Sequence, residues 1–352
     1  MRRLAIVLFN LGGPDCPEAV RPFLFNLFND PAIIGAPGPL RWALAKLISA
    51  RRAPLAKAIY EKIGGRSPIV PLTQQQASAL EERLMGKGEW DQARVFVAMR
   101  YWHPRAHDVV REVANFDPDQ VVLLPLYPQF STTTSGSSLK EWGEAAQEAG
   151  LTAPSASVCC HPLEKHFIGA HRQLLAAALE TAGGPEGARV LFSAHGLPKK
   201  ISESGDPYQW QVKATVSALV RALDLGELDW QICYQSRLGP LEWIGPSTEA
   251  EITRAGADGK SVVLVPIAFV SEHSETLVEL DIENRKLAEN LGVPTYVRVP
   301  ALAVTSSYIE ALARIALEAA GRGKGIGPGG AAARLCPAEF TRCPFKVAAL
   351  SG

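Results

Sequence analysis

Short apolar runs alternate with longer stretches of helical periodicity along most of the chain. Runs rich in valine, isoleucine and leucine read as strands at 4–9, 95–99, 121–126, 156–160, 190–194, 230–234 and 262–270. Most are nearly continuous in apolar character rather than alternating, which is the pattern of parallel strands buried on both faces. Helical patterns lie between them at 73–85, 107–115, 164–182, 209–223 and 275–291. This βαβ alternation predicts an α/β fold of open, doubly wound parallel sheets. The number of strands and the length predict two smaller α/β lobes rather than one very large sheet. A break near 143–152 gives an N-terminal α/β lobe over 1–145 and a C-terminal α/β lobe over 146–303. A helix near 307–320 is expected to rejoin the first lobe. The glycine-rich stretch 321–330 reads as a flexible linker into a cysteine-containing tail, so that 321–352 stands apart.

The chain has 352 residues, 47% of them hydrophobic and 20% charged, enough for a substantial core. Lysine plus arginine equals aspartate plus glutamate at 36 each, so charge gives no reason to expect nucleic acid as a partner. The apolar run after Arg2 and Arg3 stops at Asn10 without a small-residue cleavage site, and reads as a buried first strand rather than a signal peptide. No stretch approaches the ~18 uninterrupted apolar residues of a membrane span. A cytoplasmic protein is expected. The six cysteines, Cys16, Cys159, Cys160, Cys233, Cys336 and Cys343, lack the secretory context of a disulfide framework.

Candidate chemistry sits where the strands end. In open α/β sheets, ligands bind outside the carboxyl ends of the strands. Polar residues follow the strands there: Arg100-Tyr101-Trp102-His103, Tyr127-Pro128-Gln129, His195-Gly196, Gln235-Ser236-Arg237 and Ser271-Glu272-His273-Ser274-Glu275. Gly12-Gly13 before Pro14 fits a tight turn better than a phosphate cradle, since no complete glycine-rich nucleotide motif is present. His195, His273 and Glu275 repeat metal-capable chemistry at two strand ends, and imidazole can also accept a proton near neutral pH. Glu275, Glu279 and Glu283 are four apart and share one helical face, either as a solvated stripe or as a path for cations. No motif for a named hydrolytic nucleophile is present.

Taken in order, these segments resemble the ferrochelatase family. The resemblance is carried by Leu8-Phe9-Asn10-Leu11-Gly12-Gly13-Pro14, Gly64-Gly65-Arg66-Ser67-Pro68, Met99-Arg100-Tyr101-Trp102-His103-Pro104, Tyr127-Pro128-Gln129-Phe130-Ser131 and Thr134-Ser135-Gly136-Ser137-Ser138. It continues through Ser193-Ala194-His195-Gly196-Leu197-Pro198, Tyr234-Gln235-Ser236-Arg237-Leu238-Gly239-Pro240, Trp243-Ile244-Gly245-Pro246 and Ser271-Glu272-His273-Ser274-Glu275-Thr276-Leu277. The details look most like the enzyme of Gram-negative bacteria. The resemblance implies a chelatase-like fold of two Rossmann-like lobes with parallel sheets and a cleft between them, and a lyase inserting Fe²⁺ into protoporphyrin IX, the terminal step of haem biosynthesis. It implies His195, Glu275 and His273 as catalytic residues, and His195, Glu275 and Glu279 as metal contacts. Arg100, Tyr101, Tyr127 and Trp243 would then bind porphyrin.

Two further expectations follow from the resemblance. Phe23, Leu24, Phe28, Ile33, Ile34 and Trp42, with Arg51 and Arg52, would form an apolar lip for peripheral contact with the inner membrane. Many family members also carry a [2Fe–2S] cluster on one internal cysteine and three from a C-terminal extension. Here the tail reads Cys336, six residues, then Cys343-Pro344-Phe345, with phenylalanine in place of the last cysteine. Cys159, Cys160, Cys336 and Cys343 are the candidate ligands, with Cys159 or His161 as the fourth, and a tail holding free thiols is the alternative. The rival functions are a coproporphyrin ferrochelatase, a chelatase for cobalt or nickel, and a non-enzymatic tetrapyrrole carrier. The sequence leaves the oligomeric state open.

Overall fold

The computed structural model describes residues 1–85, 90–237, 239 and 241–346, so Leu238 and Pro240 of the quoted motifs lie outside the described residues. The chain divides into two compact units, Met1–Cys160 with Leu312–Gly329, and His161–Ala311 with Gly330–Gly352.

The first unit runs β1 (Arg3–Asn10), α1 (Val20–Phe28), α2 (Gly38–Glu61), α3 (Ile69–Leu84), β2 (Gln92–Met99), α4 (Ala106–Phe116), β3 (Gln120–Pro125), α5 (Ser135–Glu148) and β4 (Ser155–Val158). The second runs α6 (Lys165–Thr181), β5 (Ala188–His195), α7 (Lys199–Glu203), α8 (Tyr208–Leu223), β6 (Trp230–Gln235), α9 (Thr248–Ala257) and β7 (Ser261–Pro266). It continues with a π-helix (Glu275–Glu283), α10 (Asn284–Asn290) and β8 (Tyr296–Arg298). The chain then returns through α11 (Ser306–Arg322) to β9 (Gly325–Gly327) of the first unit.

Both sheets are parallel, in the order β2-β1-β3-β4-β9 and β6-β5-β7-β8. The central strands explain the continuous apolar runs. Leu4 to Leu8 in β1 and Val262 to Val265 in β7 have no exposed surface, because helices cover both faces. In the first unit, Ala5, Val7 and Phe9 pack with Val109, Val113 and Trp142, and the Trp142 ring meets Phe9 edge-on at 5.6 Å. In the second, Leu191, Val262 and Leu264 pack with Ile252, Leu280 and Ala288.

Four local expectations are corrected. The glycine-rich stretch is no free linker, because Gly325–Gly327 pairs with β4 and the Gln120 side chain donates to the Gly323 carbonyl at 2.7 Å. The segment at 275–291 is not one α-helix but a π-helix followed by α10. The strand expected at 262–270 stops at Pro266, whose ring supplies no ladder amide. Finally, Phe23 is 5% exposed and belongs to the core rather than to an apolar lip.

After β1, Gly12 takes a left-handed φ of 82°, and Gly13 lies in a close approach of two segments. A Cβ on Gly13 would come within 2.5 Å of the Ser67 side chain.

Candidate active site

Three strand ends of the second unit build a carboxylate–imidazole cluster. β5 terminates at His195, which pairs with Gln235 at the end of β6. Gly196 follows because nothing larger fits: a Cβ there would lie 2.8 Å from the Gln235 carbonyl and 3.2 Å from the Trp243 ring. The His195 Nδ1–H donates to the Gly196 carbonyl at 2.5 Å, which assigns the proton to Nδ1 and leaves the Nε2 lone pair free. Nε2 lies 3.8 Å from Glu275 Oε1, and the imidazole keeps 43% of its side-chain surface exposed. The Tyr208 hydroxyl donates to the His195 carbonyl at 3.2 Å and steadies the strand end.

Glu275 and Glu279 converge on Ser236. Ser236 takes a left-handed φ of 60° directly after β6, a conformation that is costly for a residue with a side chain. Its hydroxyl lies 3.1 Å from Glu275 Oε2 and 2.5 Å from Glu279 Oε2, while its amide donates to Glu279 Oε1 at 2.7 Å. Gln235 adds a bond from Nε2 to Glu275 Oε2 at 3.3 Å. A buried chain of Ser193 with Gln235 and Thr248 holds Gln235 from behind. Burial, and then the charge of Glu275 beside it, push Glu279 up to about 7, so it changes protonation near neutrality.

His273 is buried, and desolvation drives its pKa down. Its Nδ1–H donates to the Ser271 carbonyl at 3.2 Å, and Nε2 is buried without a hydrogen-bond partner. It is therefore a neutral base with one unused lone pair. Trp243 flanks Gly196, with its indole nitrogen buried and unpartnered.

The porphyrin candidates Arg100, Tyr101 and Tyr127 lie in the first unit. Asp30 accepts from Arg100 Nη2 at 2.8 Å, from the Tyr101 hydroxyl at 2.8 Å and from the Ser137 hydroxyl at 2.5 Å on one oxygen. Arg100 also reaches Ser137 through Nε at 2.7 Å and Glu141 through Nη1 at 3.2 Å. Burial, together with Asp30, holds the Tyr101 phenol well above its ordinary range. Burial likewise raises the Tyr127 phenol.

Four of the six cysteines, the candidate cluster ligands, fall into two pairs. β4 ends at Val158, so Cys159 and Cys160 escape the face alternation of a strand, and their sulfurs approach to 3.3 Å. This removes the geometric objection to adjacent cysteines acting together. Cys336 and Cys343 lie in the second unit, where Gln211 Nε2 donates to Cys336 Sγ at 3.1 Å and the Phe340 ring meets Trp210 at 6.0 Å. A hydrogen bond from Cys336 pulls the Cys343 thiol down to about 6. Desolvation takes His161 down to about 3, and both of its ring nitrogens are buried without a hydrogen-bond partner. Among the described residues, no three His, Cys, Asp or Glu side chains form a group that could hold a metal ion. Each pair by itself supplies two thiols, where a [2Fe–2S] group takes four ligands.

Sequence reasoning picked out His195, Glu275, Glu279 and His273 but missed Ser236, Gln235 and Asp30 as organising residues. For Ser236 a signal was present, a polar triplet directly after an apolar strand. Asp30 had none, because the three side chains that meet on its Oδ2 are separated from it by 70 residues or more in sequence.

The fold is that of a chelatase. SirB from Bacillus subtilis, solved with Fe³⁺, aligns with a TM-score of 0.53 at 11% identity, covering 92% of this chain and 99% of that one. The sirohydrochlorin chelatase SirB of Bacillus subtilis subspecies spizizenii, solved with cobalt, gives 0.52 at 10% identity over 92% and 97%. The sequence narrows the class. The Ferrochelatase family profile matches residues 3–320. The ferrochelatase of Caulobacter vibrioides is 52% identical over 348 residues, 99% of each chain, and that of Phenylobacterium zucineum 54% over 344 residues, 98% of each. The chain belongs to the ferrochelatase family.

Proposed function

We propose that this protein inserts Fe²⁺ into protoporphyrin IX to form protohaem, a lyase-type reaction. The observation that carries the reading is the His195 imidazole, its Nε2 lone pair free and 3.8 Å from Glu275 Oε1.

The chemistry demands what these residues offer. A free-base porphyrin carries two pyrrole N–H protons, and the product forms when Fe²⁺ replaces both, releasing two protons in all. His195 Nε2 accepts a pyrrole proton, and Glu275 stabilises the imidazolium that results. Glu279, titrating near 7, passes a proton or holds the incoming cation, with His273 as a neutral base beside the same path. Hard carboxylates suit Fe²⁺ in transit. A cation that must be surrendered to four pyrrole nitrogens is better served by such partial contacts than by a closed ligand set. Arg100, Tyr101, Tyr127 and Trp243 are proposed to border the porphyrin. No step runs through a cluster. The two thiol pairs, Cys159 with Cys160 after β4 and Cys336 with Cys343 in the tail, keep a [2Fe–2S] group as a finer proposal, tested by acid-labile sulfide in anaerobically purified protein.

A cytoplasmic location with peripheral membrane contact completes the reading. Leu40, Trp42, Leu47 and Leu55 on α2 each keep half or more of their surface exposed, with Lys46 over the Trp42 ring at 4.8 Å and Arg52 over Phe28 at 5.7 Å. Apolar groups flanked by cations are the chemistry of interfacial binding. No helix among the described residues is long and apolar enough to cross a membrane.

Anaerobic incubation with protoporphyrin IX or coproporphyrin and Fe²⁺ tests the proposal. Multiple turnovers to protohaem support it. Preference for coproporphyrin redirects the substrate, and stoichiometric binding without insertion makes the protein a carrier.

A further inference from the structure

The helix that carries both carboxylates is wound in an unusual register, and one short strand grips it. The Asn284 amide donates to the Glu279 carbonyl, five residues back. In an α-register that amide would reach the Leu280 carbonyl. The Leu280 carbonyl instead accepts the hydroxyl of Tyr296, at 2.5 Å. Arg298 lies two residues further along β8 and so on the same strand face. Its Nη1 donates to Glu272 Oε1 at 2.8 Å, just upstream of the helix, and its Nε lies 3.3 Å from Asp281 Oδ2 within it. Asp281 also accepts from Arg285 Nη2 at 2.6 Å, and Arg285 Nη1 returns to the Tyr296 carbonyl at 2.9 Å. Contacts from β8 therefore reach the segment before the helix, inside it and at its exit.

A π-helical turn is rare and survives only where its surroundings support it. Reverting to the α-register would rotate the following residues by about 100° around the axis. A buried arginine held between two carboxylates is weak evidence for added stability, because desolvation offsets the attraction. Its geometry is better explained as fixing one conformation.

We propose that Tyr296 and Arg298 are positioning residues for iron delivery, holding the Glu275–Glu283 helix in its wide register so that Glu275 and Glu279 meet at Ser236. Neither residue bonds to those carboxylates; both act through the helix backbone and Asp281. The inference rests on the reading of Glu275 and Glu279 as metal-handling groups.

The test uses the full-length protein with Tyr296→Phe, which removes only the hydroxyl, and Arg298→Gln, with Glu279→Gln alongside. The expected result is a KM for Fe²⁺ raised about tenfold in both β8 variants, as ångström-scale misplacement produces. The KM for porphyrin stays within about twofold, and Arg298→Lys recovers part of the loss. An Fe²⁺ KM unmoved in both β8 variants overturns the proposal. So does a uniform fall in all kinetic parameters that tracks the folded fraction in a thermal melt. If Glu279→Gln alone raises the Fe²⁺ KM, the positioning role fails and the metal-handling reading stands. If Glu279→Gln also has no effect, that reading fails and the proposal falls with it.

Discussion

Ser236 holds Glu279 by two bonds, its hydroxyl 2.5 Å from Oε2 and its amide 2.7 Å from Oε1. The same hydroxyl lies 3.1 Å from Glu275, so one residue in a left-handed conformation fixes the spacing of two carboxylates. Hydrogen bonds to a charged carboxylate favour the charged form, and here they act against burial and like charge. Ser236→Ala removes the hydroxyl and leaves the amide. Glu279 should then titrate higher, moving the corresponding limb of the pH–rate profile for iron insertion up by about one unit. A profile superimposable on that of the parent protein would show that Ser236 does not tune the pair.

Glu279 also makes stability depend on pH. Its folded pKa of about 7 lies above its ordinary value of 4.5. Between those values the folded protein holds a proton that the unfolded chain has released, so stability falls as pH rises through that window. Glu279→Gln keeps a neutral hydrogen-bonding side chain and should flatten that slope in urea titrations. An unchanged slope would place the titrating group elsewhere.

Gly196 sets the approach of β5 to β6 at the strand ends that carry His195 and Gln235. Because a Cβ there lies 2.8 Å from the Gln235 carbonyl, Gly196→Ala must push the two strand ends apart. The expected loss is about 1–3 kcal/mol in denaturant unfolding, with insertion activity falling further than stability because His195 moves with its neighbour. A variant of parental stability and activity would mean that the strand ends yield freely.

Replacing Trp42 and Leu47 by serine should reduce co-sedimentation with anionic liposomes without altering turnover on a detergent-solubilised porphyrin. Both side chains are at least half exposed, so the fold loses little by the exchange. Undiminished co-sedimentation would remove α2 as the contact surface.

The parallel sheets were legible because strands covered on both faces write continuous apolar runs into the sequence. β8 and β9 were not, because each has three residues and Gly325-Ile326-Gly327 carries almost no hydrophobic signal. The π-register escaped for another reason. Over nine residues, apolar periodicity does not separate one extra residue in a turn from an ordinary helix. His195 and Glu275 could be found from polar residues at strand ends combined with the ordered family motifs. The Ser236 bridge depends on a backbone angle, and the Asp30 hub on contacts between distant segments, so neither is written locally. The paired approach of Cys159 and Cys160 was obscured by assuming that the strand continued through them, whereas it ends at Val158.

His195 Nε2, held free by the Nδ1 bond to the Gly196 carbonyl, is the proposed acceptor of a porphyrin proton. The most direct measurement compares parent and His195→Ala for anaerobic protohaem formation and, separately, for porphyrin binding by fluorescence. The expected result is insertion reduced by at least about a hundredfold, the typical contribution of a general base, with porphyrin affinity retained. Near-parental turnover in His195→Ala would contradict the account.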